Sequence, residues 1–192
     1  MSAPAGVAAS LAVEGLALSF GGNHVLQNIA VNFAPGEITG LIGPNGAGKT
    51  SFFNCLTGLY SPQKGRISLG EQRVEKMLPP ERSALGFSRS FQHVALCPEL
   101  TVLENVVIGL HRHSKAGWLD AFLPLPGGRK ERARNYEQAH AALARLGIAG
   151  VADEMPAQLP PGVLRLAEIA RATAGEPRVL LLDEPAAGLN SE

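Results

Sequence analysis

The sequence contains little cysteine, and its two cysteines lie far apart. Cys55 and Cys97 match no metal-binding or redox spacing within the 192 residues. This argues against a thiol-based site and indicates a reducing compartment with two ordinary thiols. Neither sign of charge is in excess: 17 basic residues balance 17 acidic residues, for a formal net charge of zero. That balance argues against general nucleic-acid binding, which depends on a basic surface.

Long apolar runs are also missing. None approaches the roughly 20 residues that a bilayer-spanning helix needs. The first residues lack the basic and then apolar order of a secretory signal. With 45% hydrophobic and 18% charged residues, a globular unit with a core is feasible. We expect a soluble protein in which residues 1–10 form a flexible tail and any membrane association depends on a partner.

A phosphate-binding loop is the most informative motif. Its glycines allow positive φ, so that successive N–H groups converge on one anion. Lys49 supplies a charge toward the β and γ phosphates, and Thr50 offers a hydroxyl to Mg²⁺. A helix predicted from Thr50 to about Leu59 directs its positive dipole end at the same phosphates. The predicted nucleotide-binding residues are Gly43, Pro44, Asn45, Gly46, Ala47, Gly48, Lys49, Thr50 and Ser51.

Two apolar segments accompany this motif. Residues 37–42 form a short, mostly apolar run, which predicts a buried strand leading into the loop. Far downstream, residues 179–182 are apolar and precede Asp183 and Glu184. This pattern predicts a central parallel strand with acids at its C-terminal tip, where open α/β sheets bind ligands. Asp183 would hold Mg²⁺, and Glu184 would polarise the water that attacks the γ-phosphate.

The rest of the chain divides into strands followed by helices. Alternating residues 11–20 and 25–33 around a Gly-Gly-Asn turn predict two strands, and residues 65–70 predict a third. Residues 101–104 read as a capping box. Residues 117–128 are predicted to form a loop. Helices are predicted within 77–85 and over about 101–110, 129–146 and 163–174. The 129–146 helix is amphipathic, with Tyr136 on its apolar stripe and Gly147 as its stop. The two nucleotide-binding halves are therefore separated by a largely helical block.

The arrangement resembles the ATP-binding subunit of ABC transporters, and more narrowly the importer ATPases for branched-chain amino acids. The likeness is carried by the strings FNCLTGLY, RSFQHVALCPELTVLENV and DEPAAGLN, and it extends from about residue 11 to the end. It implies an α/β P-loop NTPase core over residues 11–92 and 173–192, with an antiparallel β region. It also implies an inserted α-helical subdomain over about 93–172. ATP and Mg²⁺ are the implied cofactors.

Further roles follow from the resemblance alone. Phe20 matches the aromatic residue that stacks on adenine, although a phenylalanine at a strand end is often a core residue. Gln92 matches the glutamine that reaches Mg²⁺ and the attacking water, and the residues after it meet the membrane subunit. Residues 187–190 match a loop that crosses the dimer interface. The implied partners are a second ATPase subunit and membrane permease subunits, on the inner face of the plasma membrane.

The chain departs from the family pattern at two places. Where the family has Leu-Ser-Gly-Gly-Gln, this chain reads Leu-Pro-Pro-Gly-Val over residues 159–163. Pro160 offers neither the hydroxyl nor the N–H that contacts the γ-phosphate in the opposite subunit. Losing one such donor can cost about 10²- to 10³-fold in rate. The sequence also stops at Glu192, before the family's γ-phosphate histidine, which predicts a fold incomplete at its C-terminus.

Three functions remain open at this point. The first is an ATPase subunit that drives a branched-chain amino acid importer, with a heterodimer favoured because an intact partner would complete this chain's own site. The second is a structural or regulatory subunit, or a truncated copy, that binds nucleotide without useful hydrolysis. A third, an ABC protein of translation or DNA repair, would need basic extensions or tandem copies, and the sequence has neither.

Overall fold

The structure is a computed structural model that describes residues 9–90, 96–110 and 126–185, with the backbone alone described for 126–129. The chain divides into two compact units, Met1–Phe87 and Ser88–Glu192. The predicted division into a nucleotide-binding core and a helical subdomain stays a prediction.

The first unit is built on a four-stranded antiparallel sheet with the strand order β2-β1-β3-β4. The tight turn between the first two strands contains Gly21, whose φ of 57° favours glycine. These pairings confirm the predicted antiparallel region. The strands are β1 (Leu11–Phe20), β2 (Asn23–Phe33), β3 (Lys64–Leu69) and β4 (Gln72–Arg73).

Alternation in β1 places one row of apolar side chains in the core. Its pairing with β2 and with β3 shifts register between Val13 and Ala17. At that point Gly15 adopts a φ of 59°, and a Cβ on Gly65 of β3 would lie 2.6 Å from the Leu16 backbone. The two glycines therefore let the strands approach closely where the ladder bulges. The buried row comprises Leu11, Val13, Leu16 and Leu18.

Helix α1 (Lys49–Thr57) carries the end of the phosphate loop, and a buried arginine holds its C-terminus. Arg82 of helix α2 (Pro79–Ala84) is only 1% exposed, and its Nη1 donates to the carbonyls of Cys55 and Leu56, the latter at 2.8 Å. A guanidinium suits the negative end of a helix. Burial raises the pKa of the Cys55 thiol to about 11, against the opposing influence of the Arg82 charge.

The strand predicted for residues 37–42 is wrong. The structure has no strand there, and the side chains of Ile38 and Ile42 are 102% and 95% exposed. A strand needs a neighbour that completes its backbone hydrogen bonds. Among the described residues, no strand pairs with this segment. Apolar composition alone therefore does not bury it.

Within its described residues, the second unit has three α-helices that pack around one apolar core. They are α3 (Val102–Ile108), α4 (Pro126–Arg145) and α5 (Pro161–Thr173). The capping box is confirmed, because the N–H of Glu104 donates to Thr101 Oγ1 at 3.2 Å and the Thr101 N–H donates to Glu104 Oε2 at 2.8 Å. Members of the core include Val102, Val106, Ala139, Leu143, Ala167 and Ala170.

Two helix starts were predicted too late. Helix α4 begins at Pro126, inside the predicted loop of residues 117–128, and α5 begins at Pro161 rather than at 163. Proline is tolerated at the first helical position because its missing N–H is not needed there. The stop at Gly147 is confirmed by its φ of 72°, whereas Tyr136, predicted on the buried stripe, is 37% exposed.

The predicted strand before the two acids is present but shorter than expected. It is β6 (Val179–Leu181), which pairs with β5 (Phe87–Arg89) in a two-stranded sheet. The predicted central position is therefore wrong for the described residues, because β6 has a neighbour on one side only. The parallel direction stays a prediction. The partner strand of β6 is only three residues long, which limits the ladder that can form.

Candidate nucleotide-binding site

The phosphate loop closes on itself through the side chain of Lys49. Its Nζ donates to the carbonyl of Gly43 at 2.5 Å and to that of Pro44 at 2.9 Å. The Ala47 N–H also donates to the Pro44 carbonyl, at 3.2 Å. The lysine is half-buried, whereas residues 44–47 are exposed. A positive charge is therefore fixed against an open loop that faces solvent.

The three loop glycines differ in backbone conformation. Gly46 and Gly48 have φ values of 82° and 86°, as predicted for a loop that turns its N–H groups inward. Gly43, predicted to share this conformation, does not have a positive φ. A Cβ there would lie 3.3 Å from the Cβ of Ala47, a tight contact that favours glycine.

The start of helix α1 fits an anionic ligand. Gly48 is the N-cap residue and provides no side-chain cap, so the N–H groups of the first turn are not satisfied by a local side chain. A phosphate is the usual ligand for such a helix start. Thr50 and Ser51 lie in the same turn and offer hydroxyl oxygens, the donor type that Mg²⁺ prefers.

Phe20 lies at the end of β1 and is 49% exposed, so it is not a core residue. Its ring meets that of Tyr60 edge to face, with centroids 5.2 Å apart and planes at 76°. An exposed face suits stacking on a base. Tyr60 was missed by sequence reasoning, because nothing in its local pattern pairs it with a residue forty positions away.

The acid turn, Asp183 and Glu184, lies directly beyond β6 in the second unit. Asp183 Oδ2 accepts from Arg89 Nη2 at 3.2 Å, and the Asp183 N–H donates to Ser90 Oγ at 3.2 Å. Glu184 has a φ of 46°, a left-handed conformation that is uncommon outside glycine. The turn is therefore fixed from β5 and held in an unfavourable backbone conformation.

A buried arginine of α5 also reaches the acid turn. Arg165 Nη2 donates to the carbonyl of Asp183 and, at 2.8 Å, to that of Glu184. Its Nη1 donates to Glu168 Oε2 at 2.6 Å, and Arg171 completes the cluster from 3.9 Å. Burial lowers the pKa of Arg171, although the charge of Glu168 opposes this. Sequence reasoning assigned no role to Arg89, although it opens the string RSFQHVALCPELTVLENV, or to Arg165, because their partners at 183 and 184 lie far away in the chain.

The altered signature segment forms the start of α5. Pro160 is the N-cap residue, with no side-chain cap, and both Pro160 and Pro161 are exposed. The Pro160 carbonyl accepts from the N–H groups of Val163 and Leu164 at 3.0 and 3.1 Å. The helix start is thus intact, but it lacks a hydroxyl and has one N–H fewer at position 161.

Gln92 and residues 187–190, which were predicted to belong to the site, lie outside the described residues.

The helices of the described part of the chain are too short or too polar to cross a membrane.

Comparison with known proteins identifies the family. The profile of the ABC transporter family matches residues 26–187. The chain belongs to the ABC transporter family. It is 42% identical over 180 residues to the high-affinity branched-chain amino acid transport ATP-binding protein LivG of Salmonella typhimurium and of Escherichia coli, covering 94% of this chain and 71% of theirs. BraF of Pseudomonas aeruginosa is 37% identical over the same shares.

Solved ATP-binding cassettes have the same fold. The MJ1267 cassette of an ABC transporter superposes with a TM-score of 0.79 at 29% identity, over 94% of this chain and 70% of that one. A dimeric MJ0796 cassette gives 0.77 at 24% identity, over 94% and 76%, and supports the fold alone. The predicted fold class, an ABC ATPase with an antiparallel β region and a helical part, is confirmed.

The loop geometry predicts different costs for alanine at two glycines of this cassette. Both Gly46 and Gly48 are left-handed, which costs a non-glycine residue about 1–2 kcal/mol. A Cβ at Gly48 would also lie 3.0 Å from Leu26 Cδ2 and from the Val25 carbonyl, whereas Gly46 has open space. Gly48→Ala should therefore lower the free energy of unfolding in urea more than Gly46→Ala. Equal losses would contradict the steric role of Gly48.

Proposed function

We propose that this chain is the ATP-binding subunit of an ABC importer for branched-chain amino acids. The observation that carries the proposal is the phosphate loop, with Lys49 fixed on its carbonyls and an uncapped helix start beyond it. The identity to LivG and BraF, which are transport ATP-binding proteins for these amino acids, supports the substrate class. As in its family, the cassette would be linked to the inner face of the plasma membrane through permease subunits.

In this proposal, different residues of the chain bind the nucleotide and catalyse its hydrolysis. Lys49 and the N–H groups at the start of α1 bind the phosphates, while Phe20 stacks on adenine. Thr50, Gln92 and Asp183 are the proposed ligands of Mg²⁺, which neutralises charge on the phosphates when bound. Glu184 orients and polarises the attacking water, and Gln92 assists it.

The dimer needs an intact partner, which favours a heterodimer. In the family, the signature segment of one subunit completes the nucleotide site of the other. Pro160 and Pro161 would therefore impair only the partner's site. The site that contains this chain's Lys49 and Glu184 would be completed by the serine and glycine of the partner's signature segment. A homodimer would impair both sites.

A second candidate is a regulatory subunit that binds nucleotide without turnover. The observation that favours it is the N-cap of α5, where Pro160 provides no side-chain oxygen. The two candidates differ in one measurement: ATP hydrolysis after an intact cassette is added to the chain. Hydrolysis above that of the added cassette supports the first function, and binding alone supports the second.

Replacing Lys49 tests nucleotide binding directly. Lys49→Ala removes the charge fixed at the loop and should weaken ATP binding at least tenfold, measured by calorimetry. Charge-assisted hydrogen bonds are worth about 1.5–3 kcal/mol, which corresponds to that range. Lys76→Ala is the matched control, because Lys76 is an exposed lysine of the same unit. Equal affinity in both variants would refute the loop assignment.

Replacing Glu184 tests the chemical step. Glu184→Gln keeps the shape of the side chain but removes the base, so hydrolysis should fall about 10²- to 10⁴-fold with ATP affinity retained. Glu176→Gln provides the control, since Glu176 is an exposed, left-handed glutamate in the same unit. A parental hydrolysis rate in Glu184→Gln would show that another group acts as the base.

Restoring the signature tests the asymmetry of the dimer. Pro160→Ser with Pro161→Gly returns a hydroxyl at the N-cap and an N–H at the next position. Turnover of a mixture with an intact cassette should rise by up to about 10²- to 10³-fold at the partner's site. As a control, a Glu-to-Gln change in the partner's own site leaves only this chain's site to hydrolyse ATP. There the two substitutions should leave the hydrolysis rate unchanged. An unchanged total rate would show that the two prolines are harmless.

A further inference from the structure

The acid turn is held in a conformation that its sequence disfavours. Glu184 carries a Cβ, yet its φ is 46°. In a left-handed residue the Cβ approaches the following carbonyl oxygen, so a non-glycine residue stays there only when its surroundings hold it. The carboxylate of Glu184 is the proposed base, and the direction it takes depends on this backbone conformation.

The group that holds the turn is the guanidinium of Arg165. One of its nitrogens, Nη2, donates to the carbonyls of both Asp183 and Glu184. Those two carbonyls lie on either side of the N–Cα bond of Glu184, and φ is the rotation about that bond. A side chain that binds both at once therefore restrains that angle directly.

The guanidinium is itself fixed in direction. Its side chain is 3% exposed and pairs with Glu168, which is 1% exposed and lies one turn further along α5. The planar arginine fork can satisfy a carboxylate on one nitrogen and backbone carbonyls on the other, which a lysine cannot do. The ion pair is thus a clamp with one end on α5 and the other on the acid turn.

We propose that Arg165, oriented by Glu168, is a positioning residue that sets the direction of the Glu184 carboxylate. The inference rests on the proposed function, since it assigns Arg165 to hydrolysis through Glu184. It also links two parts of the second unit, because the helix that begins at the signature segment carries the clamp. A displacement of α5 at Pro161 would then change the orientation of the acid in the same subunit.

The first experiment measures the conformation of Glu184 in the full 192-residue chain by NMR. The amide-to-α-proton coupling and the ¹³Cα shift both report φ. Arg165→Met should remove the left-handed signature at Glu184. Glu176, which has a φ of 49°, should keep its own signature and serves as the internal reference. Persistence of the signature at Glu184 would overturn the inference.

The second experiment separates positioning from binding. With an intact cassette added, Arg165→Met should lower kcat about 100-fold, the effect of misplacing a reacting group by about 1 Å. Its Kd for ATP should stay within twofold of the parent. Arg165→Lys should recover only part of kcat. Arg171→Met, which removes another arginine paired with Glu168 on the same helix, should retain more of the activity than Arg165→Met.

The outcomes distinguish this inference from the proposed function. If Arg165→Met does not fold, Arg165→Lys and Glu168→Gln can be measured instead, with the same NMR and kinetic readouts. If both of these variants keep the left-handed signature of Glu184 and the kcat of the parent, the proposed role of Arg165 is overturned. Loss of ATP affinity together with kcat would also overturn it, because the role would then be structural. A parent chain that binds no ATP contradicts the proposed function, while the NMR comparison still decides whether Arg165 holds the turn.

Discussion

The fixed position of helix α1 is the constraint on which the phosphate loop depends. At its start, Gly48 lies so close to β2 that a Cβ would be only 3.0 Å from Leu26 Cδ2 and from the Val25 carbonyl oxygen. At its end, Arg82 binds the last carbonyls from within the core. The helix is therefore held at both ends, and the N–H groups of its first turn point in one direction before any ligand binds. Such preorganisation reduces the entropy lost on binding.

Both units use the same chemical device to control backbone carbonyls. In the first unit the guanidinium of Arg82 satisfies the C-terminal end of a helix, and in the second Arg165 satisfies the carbonyls of a strained turn. A buried guanidinium suits this task because it presents several donors in a plane and keeps its charge. Its desolvation is offset only when most of these donors are used, which is why each arginine has several partners.

Features that depend on neighbouring residues were predictable from the sequence. The alternation in β1, the capping box of α3 and the stop at Gly147 each follow from a few adjacent residues, and the structure confirms them. The absence of a strand at residues 37–42 was not predictable in this way, because a strand depends on a partner that can lie anywhere in the chain. For the same reason the pairing of Phe20 with Tyr60 was missed. The acids were located by their motif, but their environment was not.

The two prolines at the start of α5 have a consequence for the stability of this segment. Proline restricts φ even in the unfolded chain, so fewer conformations are lost when the helix forms. The segment is therefore stiff, but its first two residues offer no N–H group and no hydroxyl. Serine at 160 or glycine at 161 would add polar groups and increase backbone freedom together. Hydrogen-bonding capacity and resistance to unfolding are thus opposed at these two positions.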